Sequence, residues 1–158
     1  MVFARAKSKP LRYFVPEVVQ TSAMDCGPAA LKALLEGFNI PISYGRLREA
    51  CQTSVDGTSI DTIEEIAQQL GLNAHQIMLP ADLLFIEECT PFPAIVVLRL
   101  PNGAPHFVVV WRMNGAFVQV MNPAMGRRWQ RRESLLEELY VHTHPIPMET
   151  WCVIDCAI

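Results

Sequence analysis

The sequence predicts an α+β domain with an N-terminal helical half and a C-terminal antiparallel sheet. Three observations lead there. Apolar residues recur at helical spacing through the first half, short β-like apolar runs fill the second, and an Asn-Gly pair joins two of those runs. The chain has 158 residues, enough for one ordinary domain and too few for two.

The elements follow in order. Residues 1–14 are polar and read as a flexible lead-in. Val15-Pro16-Glu17-Val18-Val19 reads as extended, because proline restricts the residue before it to β or polyproline geometry. Residues 26–37 read as a helix. Pro28 fits its first turn, where the missing N–H costs nothing, Ala30, Leu31, Leu34, Leu35 and Phe38 form its apolar stripe, and Gly37 stops it. Residues 43–51 form a short second helix. Asp56-Gly57 marks a turn, after which Thr58 or Ser59 caps a third helix with Ile60, Ile63, Ile66, Ala67 and Leu70 inward and Gly71 at its end. The period then changes. Residues 73–79 read as a strand, 80–88 as a helical turn or short helix, and 94–100, 106–112 and 116–121 as three strands. Pro101-Asn102-Gly103 and Asn114-Gly115 are the turns between those three. Residues 127–130 add a fourth strand to that meander and 132–140 a last short helix, with Leu135, Leu136 and Leu139 inward.

Composition excludes several classes. Net charge is −3, and the basic residues are scattered apart from Arg127-Arg128 and Arg131-Arg132, so the footprint of a nucleic-acid binder is missing. Five cysteines, an odd number without a dense framework, point to free thiols in a reducing compartment. The basic N-terminus lacks the apolar core of a signal peptide, and no window approaches the roughly 18 apolar residues of a membrane span. Cys152 and Cys156 with His142 and His144 match no established zinc spacing, so neither metal nor cofactor is expected.

Chemistry concentrates in Gln20-Thr21-Ser22-Ala23-Met24-Asp25-Cys26-Gly27-Pro28. Cys26 falls at the first turn of a helix, where free N–H groups and the helix dipole favour a thiolate. A lone cysteine is usually structural; here Gln20 upstream and a distant His–Asn pair make it a candidate nucleophile. Asp25 reads as the cap of that helix or as a residue shaping the substrate pocket, with capping the favoured role. His106 opens the run Phe107-Val108-Val109-Val110-Trp111, so it sits at a strand mouth, as a general base requires. Asn122 ends the next strand, and antiparallel pairing returns it to His106, where its amide can fix the imidazole tautomer. The Gln20 side-chain NH₂ and the Cys26 backbone N–H would form an oxyanion hole, worth on the order of 3 kcal/mol per donor.

These strings, Gln20-x5-Cys26-Gly27-Pro28, His106-Phe107-Val108-Val109-Val110 and Asn122-Pro123-x-x-Gly126, resemble the C39 peptidases over residues 15–140. The resemblance implies a papain-like cysteine peptidase fold over residues 15–145, with 146–158 as a tail or the start of a linker. It implies a cysteine endopeptidase that removes the leader of a secreted peptide precursor after a Gly-Gly-type motif, coupled to export. Cys26 would be the nucleophile, His106 the general base and acid, and Gln20 the oxyanion donor. The family's usual third member is Asp. Asn122 keeps the orienting role and lacks the negative charge, as in papain-type enzymes. The implied partners are the leader peptide and the membrane and ATPase domains of an ABC transporter. The implied location is cytoplasmic, at the inner face of the membrane where a transporter is attached. Leaders of this family are read as amphipathic helices in an apolar groove, and exposed apolar residues of the sheet half are the candidates to line it. Two other readings share most of these residues: a non-catalytic leader-binding domain, and another papain-like thiol acyltransferase or amidase.

Overall fold

The computed structural model describes residues 2–5, 12–55, 57–86 and 92–141. Three helices come early: α1 (Cys26–Gly37), α2 (Tyr44–Ala50) and α3 (Ile60–Gln69). Six strands form one antiparallel sheet: β1 (Val2–Arg5), β2 (Asn73–Gln76), β3 (Ala94–Arg99), β4 (Pro105–Asn114), β5 (Phe117–Asn122) and β6 (Gly126–Arg131). Their spatial order is β2-β1-β3-β4-β5-β6. A 3₁₀ turn spans Ala81–Leu83, and α4 (Arg132–Glu138) closes the described fold.

The main correction falls at the N-terminus. Within the segment read as a flexible lead-in, Val2–Arg5 form β1, which pairs with β2 on one side and β3 on the other. Its four residues are too few for a periodic signal, and both pairing partners lie at least 68 positions downstream (Arg5 with Asn73). The extended reading of 15–19 fares differently: Val15 and Val18 are buried, but the segment joins no strand. It crosses the sheet instead, with the Val15 N–H donating to Gln119 Oε1 at 2.8 Å. The strand from Asn73 ends at Gln76, short of residue 79, and the helical turn or short helix read at 80–88 is present as the 3₁₀ turn, with residues 87 and 88 outside the described residues.

The sheet is covered on both faces. One core joins α1, α2 and α3 to Ile95, Phe107, Val109, Trp111 and Met121. The other joins α4 and the Leu84-Phe85 turn to Val96, Leu98, Val108, Val110, Val118 and Val120. Alternate residues of β4 thus enter opposite cores, which explains its unbroken apolar run. A bulge between Val110 and Arg112 leaves Trp111 as the extra residue and aims it at α1. There its ring lies against Gly37, where a Cβ would come within 2.2 Å of the indole, and its Nε1 donates to the Arg12 carbonyl at 2.9 Å. Gly37 therefore lets helix and sheet approach closely.

Local signals set the helix starts. Ser43 accepts from Arg46 N at 3.3 Å to begin α2, and Ser59 accepts from Thr62 N at 3.1 Å to begin α3. Asn114-Gly115 turns β4 into β5 as the sequence signals.

Candidate active site

Four segments meet at one end of the sheet: the start of α1, the mouth of β4, the end of β5 and the stretch before α1. Asn122 lies at the close of β5. Register pairs Val109 with Met121, so Asn122 falls diagonally beside His106. His106 Nε2 and Asn122 Oδ1 are 2.9 Å apart, and the two residues are only 3% and 5% exposed. The Asn122 oxygen also accepts the Ala124 backbone N–H at 2.9 Å. A backbone N–H can only donate, so the shared atom is the amide oxygen and His106 Nε2 carries the proton. The other nitrogen, Nδ1, is left with its lone pair, as a base requires.

The turn after Asn122 is tightly built. Gly126 adopts φ +88°, and a Cβ there would come within 2.7 Å of Glu17 Oε1. The same turn anchors Gln20, whose backbone N–H donates to the Pro123 carbonyl at 2.9 Å. The Gln20 side chain ends in a buried oxygen with no partner among the described residues. A buried acceptor oxygen without a partner is costly unless a donor arrives to use it.

Cys26 opens α1 and is buried. Burial pushes its thiol up, and the backbone N–H groups of Phe107, Gly27 and Cys26 pull against that without overcoming it. The expected pull of the helix start toward thiolate is present, but desolvation outweighs the N–H groups and the net shift is upward. The Phe107 contact also shows where the sulfur lies, at the mouth of β4 next to His106. Alkylation of Cys26 by iodoacetamide is expected to accelerate through the ordinary thiol value of 9.0. The folded pKa is raised, so thiolate appears later on the pH scale than in the unfolded chain. A rate that levels off below about pH 8 would instead reveal an ion pair with His106.

Asp25 does not cap α1, contrary to expectation; its side chain makes no cap hydrogen bond. Its carboxylate is fully buried and accepts from Thr21 Oγ1 at 2.8 Å and from Arg48 Nε at 2.9 Å. Burial alone would raise its pKa, but bonds from Thr21 and Ser22 and the Arg48 guanidinium outweigh it and hold the carboxyl below its ordinary value.

Cys26 and His106 face a cavity of about 810 Å³. Its walls draw on both halves of the chain, not the sheet half alone: Met24, Val55 and Ile60 on one side, Met78, Leu84, Val97 and Tyr140 on the other. No Asp, Glu, Lys or Arg lines it among the described residues. Met78 is 75% and Val55 85% exposed, so apolar side chains stand open at its rim. The sequence offered no marker for this rim, nor for the Phe107 and Ala124 backbone N–H groups that act on sulfur and on Asn122. No group of three or more potential metal ligands occurs among the described residues, and Cys152, Cys156, His142 and His144 lie outside them. Cys26 and Cys51 are free thiols.

Known proteins bear on this geometry. The model of the Peptidase C39 family matches residues 15–141. The lactococcin-G-processing and transport ATP-binding protein of Lactococcus lactis subsp. lactis is 30% identical over 110 residues, 70% of this chain but 16% of its own length. The probable functional amyloid protease of Pseudomonas aeruginosa is 28% identical over 136 residues, 81% of this chain and 58% of its own length. The chain thus spans a small part of the transporter relative and more than half of the other. The peptidase domain of Streptococcus ComA, described as a bi-functional ABC transporter, superposes with a TM-score of 0.70 at 25% identity, covering 79% of this chain and 92% of that one. A double glycine motif protease of an AMS/PCAT transporter, solved in complex with its leader peptide, gives 0.68 at 20% identity, covering 86% and 91%.

Proposed function

We propose, from the premise that this chain belongs to the peptidase C39 family, that it is a cysteine endopeptidase cutting a leader from a peptide precursor after a Gly-Gly-type pair. The observation that carries the reading is a nucleophile and an oriented base, Cys26 and His106, on the wall of one apolar cavity. Cleavage coupled to export through an attached ABC transporter, at the cytoplasmic face of its membrane, belongs to the same proposal. It draws on the transport and processing names of the relatives. No helix among the described residues is long and apolar enough to cross a membrane.

The chemistry follows from the geometry. His106 Nδ1 takes the Cys26 proton as sulfur attacks the carbonyl carbon of the second glycine. Charge that develops on the carbonyl oxygen is met by the Cys26 N–H and the Gln20 amide. The tetrahedral adduct collapses to a thioester as His106 returns its proton to the departing amine. Water then adds with the same histidine as base, releasing the leader acid and restoring the thiol. Asn122 holds the imidazole throughout. Glycine at the cut suits the crowded approach to Cys26, where Gly27 already leaves only 2.9 Å between its virtual Cβ and Thr58. The uncharged walls suit the apolar face of a leader helix.

The test is mass spectrometry of the purified chain with a peptide carrying a leader and a Gly-Gly junction, beside the same peptide with the pair changed to Val-Val. Cleavage after the second glycine in the first peptide alone is expected. Leader binding without cleavage would replace the peptidase with a cargo-binding domain. Transfer to an added small amine in preference to water would favour an acyltransferase.

Asn122 gives a graded prediction. Asn122→Ala frees the imidazole and is expected to lower kcat on the order of 10²-fold with KM little changed. Asn122→Asp preserves the acceptor and adds the charge that steadies an imidazolium, so its kcat should equal or exceed that of the wild type. A kcat for Asn122→Asp as low as that of Asn122→Ala would contradict the orienting role.

A further inference from the structure

The stretch from Gln20 to Cys26 carries both groups that must meet one carbonyl, and it contains no regular structure until α1 begins. Something has to set the spacing. At its start the Gln20 N–H is tied to the Pro123 carbonyl at 2.9 Å. The Thr21 N–H reaches the Tyr44 hydroxyl at 3.4 Å, and the Asp25 N–H donates to the Ser22 carbonyl at 3.2 Å. These are neutral single bonds. Asp25 is different. Its side chain is 0% exposed, it gives its helix no cap, and its two oxygens go to different places: Oδ2 to Thr21 and Oδ1 to Arg48 of α2.

We propose that Asp25 is a positioning residue: its buried carboxylate, shared between Thr21 and Arg48, clamps the Gln20–Cys26 stretch against α2 so that oxyanion donor and nucleophile keep one spacing. The inference rests on the roles proposed above for Gln20 and Cys26. A carboxylate is hidden in this way only where charged or hydroxyl partners compensate its lost hydration, and both partners are present. Arg48 has half of its side chain in solvent, at 51% exposure, so it is not a packing element itself. Its visible contribution is the ion pair. The groups around the carboxylate are Thr21, Ser22, Tyr44, Arg48 and the Cys26 thiol. Asp25 bears on the thiol electrostatically, since its negative charge opposes thiolate formation.

That opposition separates positioning from a merely structural role. Asp25→Asn keeps the shape and removes the charge. Arg48→Met removes the outer partner from a half-exposed site and keeps the fold if Asp25→Asn does not. Both are assayed against the wild type for cleavage of the Gly-Gly peptide and for Cys26 alkylation by iodoacetamide at neutral pH. For each variant we expect kcat to fall about tenfold or more with KM within about twofold. Alkylation of Asp25→Asn should be as fast as wild type or faster. Turnover and thiol reactivity then move apart; because unfolding would also expose the thiol and speed its alkylation, each variant is checked for a wild-type thermal melt, and the positioning role requires the loss of kcat in a chain that melts as the wild type does. Wild-type kcat in Asp25→Asn, or kcat and alkylation falling together in both variants, would overturn the positioning role and leave the peptidase reading standing. A wild-type chain that cleaves no Gly-Gly peptide would overturn the reading beneath it and the positioning role with it.

Discussion

Cys26→Ala is expected to abolish peptide cleavage, lowering kcat on the order of 10⁴- to 10⁶-fold, while leaving leader binding within a few-fold of wild type. The cavity holds only three described side chains that titrate, Cys26, His106 and Tyr140, and sulfur alone among them makes a stable acyl intermediate. Without it the reaction would need water to attack directly, with only the backbone N–H groups and Gln20 left to help. Removing one sulfur from a buried position beside an open cavity leaves a small void, so thermal stability should change little. Rapid-quench mass spectrometry checks both halves: wild type accumulates a thioester-linked leader on Cys26, and the variant binds labelled leader without any adduct. Residual cleavage above a hundredth of wild type would point to another nucleophile.

His106→Gln is expected to cost 10²- to 10⁴-fold in kcat, the range of a positioned general base. Gln is chosen because its amide can still donate to Asn122 Oδ1, so the buried acceptor at 2.9 Å keeps a partner and the fold is spared an orphaned polar group. What the substitution removes is a nitrogen able to take and return a proton. A wild-type thermal melt excludes misfolding, and one kinetic readout then isolates the lost proton shuttle. The cleavage rate of the variant should rise steadily with pH, following the ionisation of a thiol that burial has pushed up. A variant with the wild-type pH profile would show that the proton goes elsewhere.

Much of this was legible in the chain. The stripe from Ala30 to Phe38, the serine before α3 and the Asn114-Gly115 turn each carry a local rule, and each element stands where the rule puts it. His106 and Asn122 were legible as a pair because tight antiparallel turns return strand ends to each other. What stayed hidden depends on contacts distant in sequence. Strand β1 is four residues whose pairing partners lie far downstream. Asp25 looked like a cap because Asp before a helix usually is one. Its actual partner Arg48 lies a whole helix away, and nothing in residues 20–26 announces it. The thiol was misjudged for a related reason: a helix start is visible in sequence, whereas the burial that outweighs it comes from packing against β4. The cavity walls combine stretches around Met24, Ile60, Met78, His106 and Tyr140, far apart in sequence.

The split origin of the site has a temporal side. The sulfur belongs to the first helix and its proton acceptor to a hairpin synthesised much later, and Trp111 against Gly37 joins the same two regions. Contacts so distant in the chain close late, because the loop entropy between them must be overcome first. A chain leaving the ribosome therefore carries Cys26 as an unassisted thiol until β4 and β5 have emerged and docked. On the proposed mechanism, cleavage activity would arrive only with the completed fold, and half-made copies would not cut what they meet. Return of activity on refolding would keep step with burial of the indole, one event seen by two signals.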